Sequence, residues 1–89
     1  MFERFQNYLI EQGYSLRTPL GKPSTVFDYS NRIQTICDRE NVSINQLADN
    51  IAHFIQKYDA FGLEAEFGRR SHSAYINALR RFEEFINIK

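Results

Sequence analysis

The chain has 89 residues, which is enough for one small hydrophobic core and too few for two. Apolar residues make up 43% of the sequence and aromatic residues 15%, so we expect an aromatic-rich interior rather than a disordered chain. Basic and acidic residues number 11 each, and the resulting zero net charge argues against a domain that binds nucleic acid through overall positive charge.

The sequence favours a soluble, cytoplasmic protein with no membrane partner. No apolar run approaches the ~20 residues of a membrane span, and no charged-then-apolar leader is visible at the N-terminus. Cys37 is the only cysteine, which excludes an internal disulfide and a cysteine-rich metal site. Its position on a predicted apolar stripe indicates a buried, inert thiol.

The first half of the chain predicts two helices, because apolar residues recur at intervals of three and four. The first covers residues 2–12 and ends at Gly13, since glycine adopts the left-handed conformation without steric cost. Residues 14–23 contain two prolines and predict a loop. Ser24 then opens a second helix that continues to about Glu40, with Phe27 among its buried residues and Asn41-Val42 as its break.

The second half predicts a capped helical segment and a long final helix. Ser43-Ile-Asn-Gln46 has the form of a capping box, and the helix that follows runs to Tyr58, either whole or divided at Asp49-Asn50. Between Gly62 and Gly68 the chain forms either a loop or a single helical turn. Ser71 is expected to cap the last helix, which continues to about Asn87. The prediction is an all-α fold, a compact bundle of four or possibly five helices in one domain over residues 1–89.

The residue pattern offers no catalytic, metal or cofactor site. His53 and His72 lie on different predicted helices, and neither has the spacing of a metal ligand relative to Cys37 or to the other histidine. The four glycines are scattered, so they form no phosphate-binding loop. We therefore expect no enzyme. For Arg80 we expect a salt bridge to Glu84, four residues further along the helix.

Two basic segments precede and open helices, and both have the composition of a phosphate-contacting surface. Helix N-termini attract anions, and arginine adds a bidentate donor for phosphate oxygens. The alternative interpretation is that these side chains only solvate the surface, and the zero net charge favours it. The two segments comprise Arg69, Arg70, Ser71 and His72 before the last helix, and Arg17, Lys22, Ser24 and Thr25 before the second.

The order of the helices resembles the SAM-like core-binding domain of the tyrosine recombinases, the phage-integrase family. That domain lies N-terminal to a catalytic domain, and the two clamp duplex DNA between them. The motifs that carry the resemblance are Phe5-x-x-Tyr8-Leu9, Thr25-x-x-x-Tyr29-x-x-x-Ile33, Leu47, Ile51, Phe54-Ile55 and Ser71-x-x-Ala74-x-x-Asn77-Ala78-Leu79-Arg80-x-Phe82-x-x-Phe85-Ile86.

The resemblance implies a non-catalytic, DNA-binding part of a site-specific recombinase. It points to Thr25, Tyr29, Arg70, Ser71 and Asn77 as contacts to the DNA backbone, which hold a protein in register without reading sequence. The family's catalytic arginine, His-x-x-Arg pair and tyrosine nucleophile lie on a separate C-terminal domain, which would be a partner of this one in a longer native chain.

A second hypothesis from a different class is a free-standing protein-interaction module, such as a regulator or inhibitor from a mobile element. Tyrosine, phenylalanine and arginine are favoured at protein interfaces, and the chain is rich in all three. This hypothesis expects Tyr14, Phe61, Phe67 and Tyr75 to be exposed, together with arginines that are paired to acids.

Overall fold

The computed structural model describes residues 2–14 and 25–88, and within them the chain forms helices and turns but no strand. The predicted all-α helical bundle is therefore confirmed. The helix count exceeds the predicted four or five because the segment after Ser43 divides at Asn50 and a short helix precedes the last one. The six helices are α1 Phe2–Glu11, α2 Thr25–Glu40, α3 Ile44–Asp49, α4 Ile51–Tyr58, α5 Ala65–Gly68 and α6 Arg70–Ile86.

Left-handed residues end the first two helices. Gly13 has φ 98 after α1, and the next amide, that of Tyr14, donates to the Leu9 carbonyl. Asn41 has φ 54 after α2, and the amide of Val42 donates to the Cys37 carbonyl. Glycine and asparagine tolerate this conformation best, so both helix ends follow from local residue type. Both breaks lie where the sequence predicts them.

The capping box predicted at Ser43 is confirmed. The Ser43 hydroxyl accepts a hydrogen bond from the Gln46 amide at 3.1 Å, and the Gln46 side chain accepts one from the Ser43 amide at 2.8 Å. A cap of this kind contributes about 1 kcal/mol. Asn50 then separates α3 from α4 with φ -120 and ψ 27, so of the two alternatives that the sequence leaves open the divided helix is the one that forms.

The core forms where α1, α2 and α4 pack on α6. The Phe5 ring lies 5.2 Å from that of Phe82, in an edge-to-face arrangement that aromatic pairs favour. Cys37 is 3% exposed, as predicted, and burial raises the pKa of its thiol. Phe27 was expected in this core and is only half-buried. The buried position on its side of α2 is instead Ser30, whose hydroxyl accepts a hydrogen bond from the Gln6 side chain at 3.1 Å.

Helices α2 and α6 run antiparallel. Arg39, at the end of α2, lies against Phe67 just before α6, and Arg32, in the middle of α2, lies over Tyr75 early in α6. Tyr29, near the start of α2, is close enough to Arg81 late in α6 for that charge to influence its pKa. A 16-residue helix is roughly 24 Å long. The N-termini of α2 and α6 therefore lie at opposite ends of this pair.

The chain between α4 and α6 folds back tightly onto the end of α4. A side chain at Gly62 would overlap the carbonyl oxygen of Gln56, and one at Gly68 would overlap that of Tyr58. The Glu64 amide donates to the Lys57 carbonyl at 2.8 Å and closes the turn. Both glycines are needed for close backbone approach rather than for a left-handed conformation. Gly62 and Gly68 thus fix the path by which α5 reaches α6.

Candidate nucleic-acid interface

The entrance of α6 differs from the predicted one. Ser71 was expected to cap the helix, but α6 begins at Arg70 and the cap position is Arg69. Arg69 is already in the right-handed helical conformation, with φ -85 and ψ -8, because α5 leads directly into α6. Its amide donates to the Ala65 carbonyl at 3.1 Å. That amide therefore already donates a hydrogen bond. Fewer free backbone amides remain at the start of α6 for the anion site that the sequence predicts.

Arginine side chains lie against two tilted, closely packed aromatic rings beside this entrance. The rings of Phe67 and Tyr75 lie 4.4 Å apart. The Arg39 guanidinium lies 3.7 Å and that of Arg70 5.0 Å from the Phe67 ring centre, and the Arg32 guanidinium lies 4.7 Å from that of Tyr75. Cations within about 6 Å of a ring face are attracted to it. We call these five residues the arginine–aromatic cluster.

The charges of the cluster are only partly neutralised within the chain. Arg39 forms a salt bridge to Glu64 at 2.8 Å, with both side chains more than a third exposed. Arg69 and Arg70 are exposed, and no carboxylate of residues 2–14 or 25–88 forms a salt bridge with either. A guanidinium that lies on a ring keeps its edge donors available for hydrogen bonds. The cluster therefore presents preoriented cationic donors beside the start of α6.

A partly buried polar network packs against the cluster. The Tyr58 hydroxyl donates to Glu40 at 3.0 Å, and the Lys57 ammonium donates to the other oxygen of the same carboxylate at 2.6 Å. Burial opposes ionisation of Glu40, but these two hydrogen bonds and the Lys57 charge outweigh it and lower the Glu40 pKa. Burial, with the hydrogen bond to Glu40, raises the pKa of Tyr58 to about 12. The Tyr58 ring packs at 6.0 Å from Phe67, which fixes the base of the cluster.

The second predicted basic entrance lies at the far end of the α2–α6 pair. Arg17, Lys22 and Ser24 fall outside the described residues, and the same holds for the side chain of Thr25, the first residue of α2. The Tyr29 ring is half-buried and packs at 5.6 Å from Tyr14, and burial raises the pKa of its hydroxyl. Tyr29 is thus a packing residue one turn before Arg32, and it lies toward the opposite end of the helix pair from Arg39 and Arg70.

The remaining predicted contacts lie along α6. Ser71 and His72 belong to its first turn, and their side chains fall outside the described part of the chain. Asn77 is half-buried, seven residues after Arg70. Sequence reasoning did not assign a site role to Arg32 or Arg39. Their seven-residue separation on one predicted helix was the available signal, since it places both on the same side of α2.

The ion pairs of α6 correct one prediction. Arg80 was expected to pair with Glu84 along the helix. It pairs instead with Asp59 at 2.9 Å, and Arg81 takes Glu84 at 2.7 Å. The reason is tertiary, because the end of α4 places the Asp59 carboxylate beside Arg80, where an isolated helix would offer only its own side chains.

The aromatic side chains proposed for a protein interface do not share one exposed patch. Phe67 is only 9% exposed, so its predicted exposure is wrong, and Tyr14 and Tyr75 are half-buried. Phe61 is fully exposed, as predicted. Leu63, which was not singled out, is 94% exposed. Phe61 and Leu63 thus form an exposed apolar pair on either side of Gly62, and Ile10 and Ile88 are exposed elsewhere among the described residues.

Further groups that would indicate chemistry are lacking in the described residues. Residues 2–14 and 25–88 contain no cluster of three or more histidine, cysteine, aspartate or glutamate side chains suited to a metal ion. None of the helices that the structure describes is long and apolar enough to cross a membrane. No family model, curated protein or solved structure matches the chain. The resemblance to phage-integrase core-binding domains stays a prediction.

Proposed function

We propose that this chain is a non-catalytic DNA-binding domain that grips the backbone of duplex DNA, in the manner implied by its resemblance to the core-binding domain of phage integrases. The observation that supports this proposal is the arginine–aromatic cluster, with Arg69 beside it. Three guanidinium groups lie over two packed rings, and two of the arginines at the α6 entrance are without a carboxylate partner among the described residues.

The mechanism is electrostatic positioning. Arginine matches two phosphate oxygens with two parallel donors, and the underlying ring limits the conformations that the side chain must lose on binding. The cluster draws on two helices, since Arg32 and Arg39 come from α2 and Arg70 comes from α6. Donors on two antiparallel helices can contact consecutive phosphates and so fix the orientation of the domain. Such contacts carry no sequence information of their own.

The zero net charge sets the strength of this binding. The chain lacks a long-range positive field, so its attraction for DNA has to come from local contacts at the cluster. Glu64 already neutralises part of the charge on Arg39. We therefore expect weak binding that is lost at moderate salt, and a need for a catalytic partner domain to complete the grip on the duplex.

The direct test compares two double variants that change the net charge equally. Arg69→Gln with Arg70→Gln removes two cations from the α6 entrance, whereas Arg4→Gln with Arg80→Gln removes two cations elsewhere. Binding to a random-sequence duplex is measured by fluorescence anisotropy from about 50 to 200 mM salt. We expect the entrance variant to lose at least tenfold in affinity at about 50 mM salt, and its salt slope to fall by about two.

The DNA affinity of the control variant is expected to stay within about threefold of that of the unmodified chain. The control shares with the entrance variant only the change in net charge. Circular dichroism of each variant verifies that the helices remain intact. Absence of binding at the lowest salt, or an equal loss in both double variants, would refute the proposal.

A further inference from the structure

The turn between α4 and α5 is a rigid projection with two bare apolar side chains. Phe61 is 104% and Leu63 94% exposed, so neither side chain finds cover within the described residues. The backbone between them is held, because the amide of Gly62 donates to the Asp59 carbonyl at 2.9 Å and that of Glu64 donates to Lys57. The two side chains are therefore presented from a fixed support. We call residues 60–63 the apolar turn.

The Phe61 side chain projects between two hollows in the protein surface. One hollow, of about 520 Å³, extends from Phe61 to Ile55 and Asp59 on α4 and its C-cap. The other, of about 380 Å³, extends from Phe61 and Leu63 to His53. A projecting ring and the open, shallow hollows on either side of it thus lie on one surface.

The charges that border the apolar turn are all paired within the chain. Asp59 pairs with Arg80, Glu64 with Arg39, and Lys57 with Glu40. The surface is therefore electrically neutral around its apolar centre. A polyanion such as DNA gains nothing there, and a second copy of the same surface meets no repulsion from unpaired like charge.

We propose that the apolar turn is a self-association surface, through which two copies of this chain form a symmetric dimer. In a two-fold dimer each copy offers the same patch, so Phe61 of one copy enters the hollow beside Phe61 of the other, and the reverse contact follows by symmetry. A two-fold dimer requires a surface that is complementary to itself, and a projecting side chain beside a hollow meets that requirement. The proposal does not depend on DNA binding, since none of the cluster arginines contributes an apolar contact to it.

The size of the patch sets the strength of the dimer. A phenylalanine side chain buries about 150–250 Å², and a stable interface needs about 800 Å² from each partner. Phe61 and Leu63 together supply roughly half of that area, and the hollows supply part of the remainder. The dimer is consequently expected to be weak, because an area of this size lies at the low end for a specific interface.

The test is sedimentation velocity on the 89-residue chain from about 10 µM to about 1 mM. The unmodified chain is expected to shift from monomer to dimer over this range. Phe61→Ser with Leu63→Ser should remain monomeric throughout. The matched control is Ile10→Ser with Ile88→Ser, which removes two exposed apolar side chains elsewhere and should dimerise like the unmodified chain.

Ala60→Glu adds an independent test, because it leaves both projecting side chains intact and places a charge in the larger hollow. We expect at least a tenfold increase in its dissociation constant. A chain that stays monomeric at about 1 mM, or dimerisation that persists in the Phe61 and Leu63 variant, overturns the proposal. Loss of dimerisation in the Ile10 and Ile88 control alone would also overturn it, by placing the interface elsewhere.

Discussion

Residues 60–70 carry the whole apolar turn and also Phe67 and Arg70 of the arginine–aromatic cluster, and yet the two surfaces present opposite chemistry. In the cluster, the rings of Phe67 and Tyr75 are packed together and the charged groups lie on top of them. In the apolar turn, the ring of Phe61 is bare and the neighbouring charges are cancelled in pairs. Hydrophobicity alone thus does not decide which aromatic side chain this protein buries.

This difference indicates that the path of the backbone determines which side chains each surface exposes. Gly62 and Gly68 press the chain against the last carbonyls of α4. Between these two contacts the short helix α5 turns Phe67 inward toward Tyr58, while the turn before it leaves Phe61 and Leu63 outside. The two surfaces share this support, and Arg39 with Glu64 forms a salt bridge from one to the other. Some variants should therefore disrupt both surfaces together, and others should affect the two surfaces differently.

The largest effect is expected from Gly68→Ala, which breaks the shared support. The added methyl group would overlap the Tyr58 carbonyl, and a backbone atom in a packed core cannot move aside cheaply. We expect a loss of about 3 kcal/mol or more in the free energy of unfolding. Urea denaturation followed by circular dichroism measures it.

Gly13→Ala is the matched control. Gly13 has φ 98 but nothing close to its missing side chain, so only backbone strain opposes the substitution. Its expected cost is about 1 kcal/mol. Equal losses of unfolding free energy in the two variants would show that the close approach at Gly68 does not contribute to stability. The two surfaces would then not depend on a shared backbone support.

A smaller effect is expected when the base of the cluster is titrated. The Tyr58 pKa is raised from 10.0 to about 12 by burial and by its hydrogen bond to Glu40. Because the folded-state pKa exceeds the unfolded one, the contribution of Tyr58 is fully present below pH 10 and is lost as the pH rises toward 12. The expected loss is about 2 kcal/mol across that window, measured from urea midpoints at each pH.

Tyr58→Phe keeps the ring against Phe67 and removes the titrating hydroxyl. The variant is expected to be less stable at neutral pH, because Glu40 loses a hydrogen-bond donor. Its stability should then depend less on pH between 10 and 12 than that of the unmodified chain. An unchanged pH dependence would assign the alkaline loss to the other tyrosines.

The smallest effect on stability, and the sharpest separation of the two surfaces, is expected from Glu64→Gln. The substitution removes the partner of Arg39 at an exposed salt bridge, which contributes less than about 0.5 kcal/mol. It also raises the net charge beside the cluster by one, because Arg39 is no longer neutralised. We expect affinity for duplex DNA to rise several-fold and the salt slope to steepen by up to about one, whereas dimerisation is expected to weaken because Arg39 is then unpaired beside the apolar turn. A fall in DNA affinity would contradict the proposed role of the cluster.

Features that depend on neighbouring residues were predictable from the sequence. The ends of α1 and α2 and the capping box at Ser43 follow from residue type within a few positions, whereas the division at Asn50 was only one of two alternatives. The start of α6 was not, because the cap expected at Ser71 is overridden by the preceding helix α5. The sequence left that helix open as one of two alternatives between Gly62 and Gly68, and its packing on α4 depends on the close approach of Gly68 to Tyr58, ten residues earlier.

The candidate site was predictable only in part, for the same reason. Arg69 and Arg70 were evident from the sequence as a basic pair before a helix. The contributions of Arg32 and Arg39 arise because α2 runs antiparallel to α6, and no periodicity within one helix reports the direction of its neighbour. That arrangement also moves Tyr29 to the opposite end of the helix pair, away from the arginines with which the resemblance groups it.

The burial of Cys37 has a practical consequence for the dynamics of this fold. Its thiol is the only one in the chain, it is 3% exposed, and burial raises its pKa. A thiol reagent can therefore react only when the contact between α2 and the rest of the core opens. The labelling rate of the unmodified chain, compared with that of an exposed cysteine, reports the free energy of that opening without any added probe. The molecule thus carries its own reporter of local opening, in the last turn of the helix that supplies two of the cluster's three arginine side chains.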